Sequence, residues 1–167
     1  MSVFEQLRMF DVADDDGFVP DATRMVSVNV RGLPKPQGSM QAVHRAGHVG
    51  LKYPDSVWAW RYQVQHAIEE LQEQPFAGAV ILKLGFDLPR PIGQMLPANS
   101  RREQPEVSPS APRYPIVAPD LDKLTRCICD AVTDSGLWHD DSQVVAIQAA
   151  KRFHMPPGVL ITIATVD

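Results

Sequence analysis

Between Pro119 and Val144 the chain carries acidic side chains in two short blocks, Asp120-Leu121-Asp122 and Asp140-Asp141, with Asp130 between them. Carboxylates set this close repel one another, so a fold that gathers them needs something to offset the repulsion. A hard divalent cation does so, because it takes oxygen ligands and favours their convergence. The apolar residues of the same stretch limit the geometry. Leu121, Leu124, Ile128 and Ala131 or Val132 recur at spacings of three and four, which predicts a helix from about Asp120 to Val132. Asp122, Lys123, Arg126 and Asp130 then turn toward other surfaces.

A helix of about 13 residues is roughly 20 Å long. The segment 133–140 spans up to about 25 Å when extended, enough to run back along the helix and set Asp140 and Asp141 beside Asp120 and Asp122. Leu137 and Trp138 would pack on the helix during that return. A competing explanation needs no function: Asp120 follows Pro119 at the N-cap position, where capping and the helix dipole favour an acid. Arg126 has two readings as well. It reaches a phosphate, or it is an exposed partner of Asp122 or Asp130 four residues away.

The two cysteines, Cys127 and Cys129, sit two apart on the predicted helix and point in different directions, so they do not pair. With no further cysteine, zinc-ribbon and redox readings are poor, and both thiols read as small, partly buried side chains of a reducing compartment. A cluster of Asp120, Asp122, Asp141 and Asp140 therefore points to Mg²⁺, with Mn²⁺ as a substitute, rather than to zinc. Such an ion lowers the pKa of a water and polarises a phosphoryl group.

With 167 residues, 44% of them hydrophobic and 22% charged, the chain suits one globular domain with its own core. No apolar run approaches the roughly 20 residues that cross a bilayer, and the N-terminus lacks a secretory pattern, so a soluble cytoplasmic protein is expected. The net charge of -4 hides an uneven distribution. The first 21 residues hold Glu5, Asp11, Asp14, Asp15, Asp16 and Asp21 against Arg8 alone. Residues 1–24 read as an acidic, flexible extension, and 25–167 as the folded domain. From Arg24 to Pro54 there is no acid, while Arg24, Arg31, Lys35, Arg45 and Lys52 supply a positive field suited to phosphates.

Val26, Val28 and Val30 alternate with polar residues in a strand that Gly32-Leu33-Pro34-Lys35-Pro36 stops. Met40–Val43 and Gly47–Leu51 suggest a hairpin. A helix capped by Asp55 or Ser56 runs to about Gln72, its core stripe formed by Val57, Trp60, Val64, Ile68 and Leu71. Ala77–Leu88 reads as a central strand, and 89–118 as a long proline-rich loop without regular structure. Strands Gln143–Phe153 and Val159–Val166 complete an α+β fold, with a mixed sheet packed against two main helices.

The run Pro119-Asp120-Leu121-Asp122-Lys123-Leu124, then Asp130-Ala131-Val132, then Asp140-Asp141-Ser142-Gln143-Val144 resembles the RusA family of Holliday-junction resolvases. Gly32 to Gly38 is similar to that family's loop after the first strand, and the resemblance spans roughly Val26 to Val166. It implies a homodimeric, metal-dependent endonuclease of a bacterial or phage-infected cell that resolves four-way DNA junctions in recombination and repair. Carried over by position, it implies that Asp120, Asp122 and Asp141 are the essential metal-binding acids. Arg126 stands where better-known members carry a lysine. An arginine does not deprotonate, so phosphate stabilisation suits it better than proton transfer. Lys151 matches a basic residue on the strand after the Asp-Asp pair. Together with Arg31, Lys35, Arg45, Lys52, Arg101, Arg102, Lys123 and Arg152 it would hold DNA backbones. The alternatives are a junction-binding protein without catalysis, and a nuclease acting on flaps or forks.

Overall fold

Alternation of valine with polar residues makes Met25–Arg31 the first strand, β1, with Val26 and Val30 buried and Val28 packed against the core. The structure is a computed structural model that describes residues 24–38, 41–45, 48–99, 101 and 103–166; side chains of 41–52 lie outside the described set. The expected acidic extension lies outside it too, apart from Arg24. That residue already continues the ladder, its carbonyl accepting from Thr165 N at 2.9 Å.

The hairpin expected after the proline-rich loop is present as β2 (Gln41–Arg45) and β3 (His48–Lys52), antiparallel with Arg45 opposite His48. Helix α1 (Asp55–Glu69) buries Val57, Trp60, Val64 and Ile68. It departs from expectation at both ends. Pro54 is the N-cap with no side-chain capping bond, so neither Asp55 nor Ser56 performs that task. The helix stops at Glu69, which leaves Leu71 exposed.

Strand β4 (Val80–Leu88) is central, with alternate residues from Val80 to Leu88 sealed in the core. The segment that follows is not wholly irregular. A single 3-10 turn at Ile92–Gln94 leads into a two-residue pairing of β5 (Met95–Leu96) with β6 (Glu106–Val107). Helix α2 (Leu121–Ser135) buries Leu124, Cys127, Ile128, Cys129, Ala131 and Val132, and Gly136 ends it in the left-handed region at φ 72°. Strands β7 (Val144–Phe153) and β8 (Gly158–Thr165) complete the sheet.

The order is β1-β8-β4-β7, with β4 and β7 parallel and the other pairs antiparallel. Parallel neighbours need a crossover, and here it is the long segment from Leu88 through α2. α1 and α2 pack together over one face of the sheet, and both contribute to a single core around Trp60, Val64, Leu82, Phe86, Ile128 and Ile161. Each such side chain contributes about 1.5–3 kcal/mol when fully buried. This is a mixed α+β domain.

Two glycines hold positions that no other residue fits. Gly32 has φ 135°, and a Cβ there would meet the Trp60 ring at 2.8 Å. It turns the chain out of β1 into the proline-rich loop. At Gly158 a Cβ would meet the Val30 carbonyl oxygen at 2.5 Å, so β1 and β8 could not stay paired there.

Candidate active site

The crossover decides where the acids lie. α2 runs back against the direction of β7, so its head meets the far end of that strand. Lys151, late in β7, donates from Nζ to the carbonyls of Val117 (2.9 Å) and Pro119 (2.7 Å), the residues that lead into α2. Two of the ammonium's three N–H groups are thus used to fix the chain beside Asp120.

Asp120 is the N-cap residue in the extended region (φ -71°, ψ 139°), yet its side chain accepts no capping bond. Its carboxylate pairs instead with Lys123 one turn later. Lys123, and more weakly Lys151, hold the Asp120 carboxyl below the usual carboxylate range, and Asp120 raises the Lys123 ammonium in return. Capping therefore does not account for the acid. Both groups are in open solvent, where such a pair adds little to stability.

Asp122 and Arg126 are exposed on the next turns. Among the described residues, neither makes a hydrogen bond or ion pair. The reading of Arg126 as a four-apart partner of Asp122 or Asp130 is not what the fold adopts. Asp130 is taken by others: Gln37 Nε2 donates to its Oδ2, and Arg61 Nη1 lies 3.1 Å from the same oxygen.

The second acidic block forms a single 3-10 turn, Asp141–Gln143. Asp140 caps it, accepting from Ser142 N at 2.9 Å, while Gln143 Oε1 accepts from the backbone of His139 and Asp140. The Ser142 bonds lower the Asp140 carboxyl from its ordinary value. Gln143 Nε2 donates onward to the carbonyls of Phe76 and Gly78, tying the turn to the approach to β4. Asp141 is exposed, with no hydrogen bond or ion pair among the described residues. It lies near Cys129, whose thiol burial pushes up to about 11 with help from the Asp141 charge.

The return to the helix head is shorter than the sequence suggested. The helix extends to Ser135, which takes three residues from the returning segment. Residues 136–140 span at most about 17 Å, against roughly 22 Å of helix. Leu137 and Trp138 do pack in the core, at 4% and 1% exposure. The chain then turns into β7 with Asp141 close enough to Cys129 for its charge to bear on that thiol, a residue seven positions along α2 from Asp122. Among the described residues, no group of three or more His, Cys, Asp or Glu is gathered as for a metal ion. The donor chemistry nonetheless fits a hard divalent ion. Asp120, Asp122 and Asp141 offer exposed carboxylate oxygens, and two of the three have no competing partner among the described residues.

A family model for RusA endodeoxyribonuclease matches residues 32–164. The chain belongs to the RusA family. It is thus an endodeoxyribonuclease of a kind that resolves Holliday junctions with a divalent metal. Among curated proteins, none matches it. The matched span begins at Gly32, directly after β1, and takes in every residue of both acidic blocks.

On this RusA chain the expected DNA-binding residues divide into three groups. Arg31 and Arg101 are exposed, and Lys35 is half-buried in the loop beside α2. Lys123, Lys151 and Arg152 are already engaged. Arg152 Nε donates to Asp87 Oδ1 at 2.6 Å, across the β4–β7 pairing. Arg45 and Lys52 lie on the hairpin backbone with side chains outside the described set, and Arg102 lies outside it altogether.

Sequence reasoning missed the clasp behind this site. Gln37 is buried at 2% exposure, its N–H donating to Lys123 O at 2.9 Å and its side chain reaching Asp130. Arg61 joins Asp130 to Asp134 Oδ2, which its Nε meets at 2.5 Å. Burial alone would lower the guanidinium's pKa, and Asp134 and Asp130 outweigh that to raise it. The four-residue spacing of Asp130 and Asp134 on one helix face was the available signal, since such a pair calls for a cation between them. Nothing comparable marked Gln37.

Proposed function

We propose that this chain is a Mg²⁺-dependent, structure-selective nuclease that resolves four-way DNA junctions by paired phosphodiester nicks during recombination and repair. Mn²⁺ would substitute for Mg²⁺. The observation that carries the reading is a contrast among acids. Asp87, Asp130, Asp134 and Asp140 are each held by a hydrogen bond or ion pair, whereas Asp122 and Asp141 are exposed and make neither among the described residues.

In this reading Asp120, Asp122 and Asp141 hold the ion, and Asp140 fixes the turn that presents Asp141. A bound divalent ion supplies Lewis acidity toward a water and the phosphoryl oxygens. Arg126, with its planar fork of donors, binds the scissile phosphate and stabilises charge that develops on it. Lys123 neutralises Asp120 until the ion takes its place. Lys151 holds the head of α2 in position, and Arg31, Lys35 and Arg101 track the phosphate backbone. Paired nicks on opposed strands call for two sites, hence a homodimer.

That Asp120, Asp122 and Asp141 are not gathered into one metal-holding group favours a second reading, a junction-binding protein without cleavage. Incubating a mobile four-way junction with wild type and Asp122→Asn in Mg²⁺ or Mn²⁺ decides between them. Symmetric, metal-dependent nicks that the variant loses support the nuclease. Junction binding without nicks in either metal rejects it. Flaps and forks assayed in parallel rank the branched substrates.

A further inference from the structure

We propose that the apolar cavity at the C-terminal ends of β4 and β7 takes one unstacked nucleobase of the branched DNA, next to the phosphodiester presented to Asp120 and Asp122. This rests on the nuclease reading and extends it to how the substrate is positioned. The cavity has a volume of about 240 Å³, and its walls include Leu33, Pro36, Leu88, Pro115, Val117 and Phe153. Sites that bury drug-sized ligands run to about 300–1,000 Å³, so this one suits a single flat ring system and excludes a duplex.

Its position ties it to the site. Pro119, the residue before Asp120, forms part of the wall. A base seated there brings its own backbone to the head of α2. Leu88 and Phe153, the last residues of the parallel pair, both line the cavity, so it opens at the end of β7 where Lys151 holds the approach to Asp120.

Charge and shape agree on the occupant. Lys35 lies in the wall, and Lys151 sits on the carbonyls of two other wall residues, Val117 and Pro119. An apolar slot with cationic neighbours matches a base, whose faces are apolar and whose flanking phosphates are anionic. Prolines in the wall hold fixed φ angles, so little ordering is left for the moment of binding. Arg90 braces the rear, stacked 4.0 Å over the Phe153 ring and donating to Pro112 O at 2.8 Å. Val117 and Leu33 remain exposed at 58% and 45%, which leaves the cavity open to solvent. Bases at a branch point have lost stacking continuity, and extrusion costs least where stacking is already weakened.

The test places 2-aminopurine in turn at each position flanking the crossover of a four-way junction and measures its emission on binding in metal-free buffer. Emission should rise several-fold at one position with wild type and return to the free-junction level with Val117→Asp and with Ala118→Trp, which fills the cavity. Losing the base contact should weaken junction binding roughly 5- to 100-fold. Leu33→Asp, at the exposed mouth, gives the same reading if either variant fails to fold. No rise at any flanking position in a bound junction overturns the proposal, as does a rise that the variants leave intact. The assay is blind to cleavage. A signal from a protein that does not cut leaves the cavity's role standing, and cutting without a signal removes it alone.

Discussion

α2 carries acids at two stations that differ in everything but residue type. Asp130 and Asp134, in its second half, share Arg61, and Asp130 also receives the buried Gln37. Asp120 and Asp122, at its head, stand in solvent with a flexible lysine as the one cation paired there among the described residues. The first pair is a joint: it fastens α1 and the proline-rich loop to α2. The second fastens no other element: its one ion pair among the described residues, Asp120 with Lys123, stays within the helix head. An acidic side chain therefore says little about its role until its partners are known, because neutralisation inside the fold and neutralisation by an ion from solution look alike in sequence.

Substitutions at the two stations should fall on different quantities. The largest effect is expected at Arg126. Arg126→Ala should lower junction cleavage about 100-fold, near 3 kcal/mol of transition-state stabilisation, with the urea unfolding midpoint unchanged and Arg126→Lys restoring part of the rate. An equal loss of rate and stability in Arg126→Ala would erase the contrast between the stations.

Next comes the joint. Arg61→Met removes a half-buried cation from two carboxylates and should cost about 1–3 kcal/mol by urea unfolding, less than a fully buried pair because both acids keep some solvent. Single-turnover cleavage by the folded fraction should change far less. Lys151→Met should give a smaller effect of mixed kind. It frees the carbonyls of Val117 and Pro119, which remain hydratable, so a loss of about 0.5–1.5 kcal/mol is expected, with a lower cleavage rate from a looser helix head.

A last contrast, read through pH rather than at neutral pH, concerns the helix core. Burial raises the thiols of Cys127 to about 12 and Cys129 to about 11, from an unfolded value of 9.0. Groups whose folded pKa is raised contribute stability that is complete below the unfolded value and is lost as pH rises toward the folded one. Urea midpoints should therefore fall as pH rises from about 9 toward 11, and fall less in a Cys127→Ala, Cys129→Ala double variant compared with its own value at pH 8. Parallel slopes for the two proteins would show that the thiols do not carry this loss.

Legibility differed between these regions for a physical reason. Apolar periodicity reports on one face of one element, so the valines of β1 and the stripes of α1 and α2 were readable wherever burial is local. The hairpin at 41–52 was readable too, but the cap of α1 was not, since Pro54 can open a helix without a side-chain bond. The acids were readable as residues and, through the Asp-x-Asp and Asp-Asp spacing, as a family. Their mutual placement was not. It depended on three residues at the end of α2, where Gly136 rather than Val132 set the stop, and on which carbonyls Lys151 found across the sheet.

The sequence by itself determined the main helices and the long strands, the α+β class, the RusA family and the identity of the candidate acids, because these follow from side-chain chemistry at short spacing. Only the tertiary structure decided which acids are already satisfied, that Asp120 faces Lys123 and Lys151 while Asp141 stands near Cys129, and that a proline-walled cavity opens beside the head of α2. Those facts arise from contacts between residues tens of positions apart, and the parallel crossover from β4 to β7 is what brings them together.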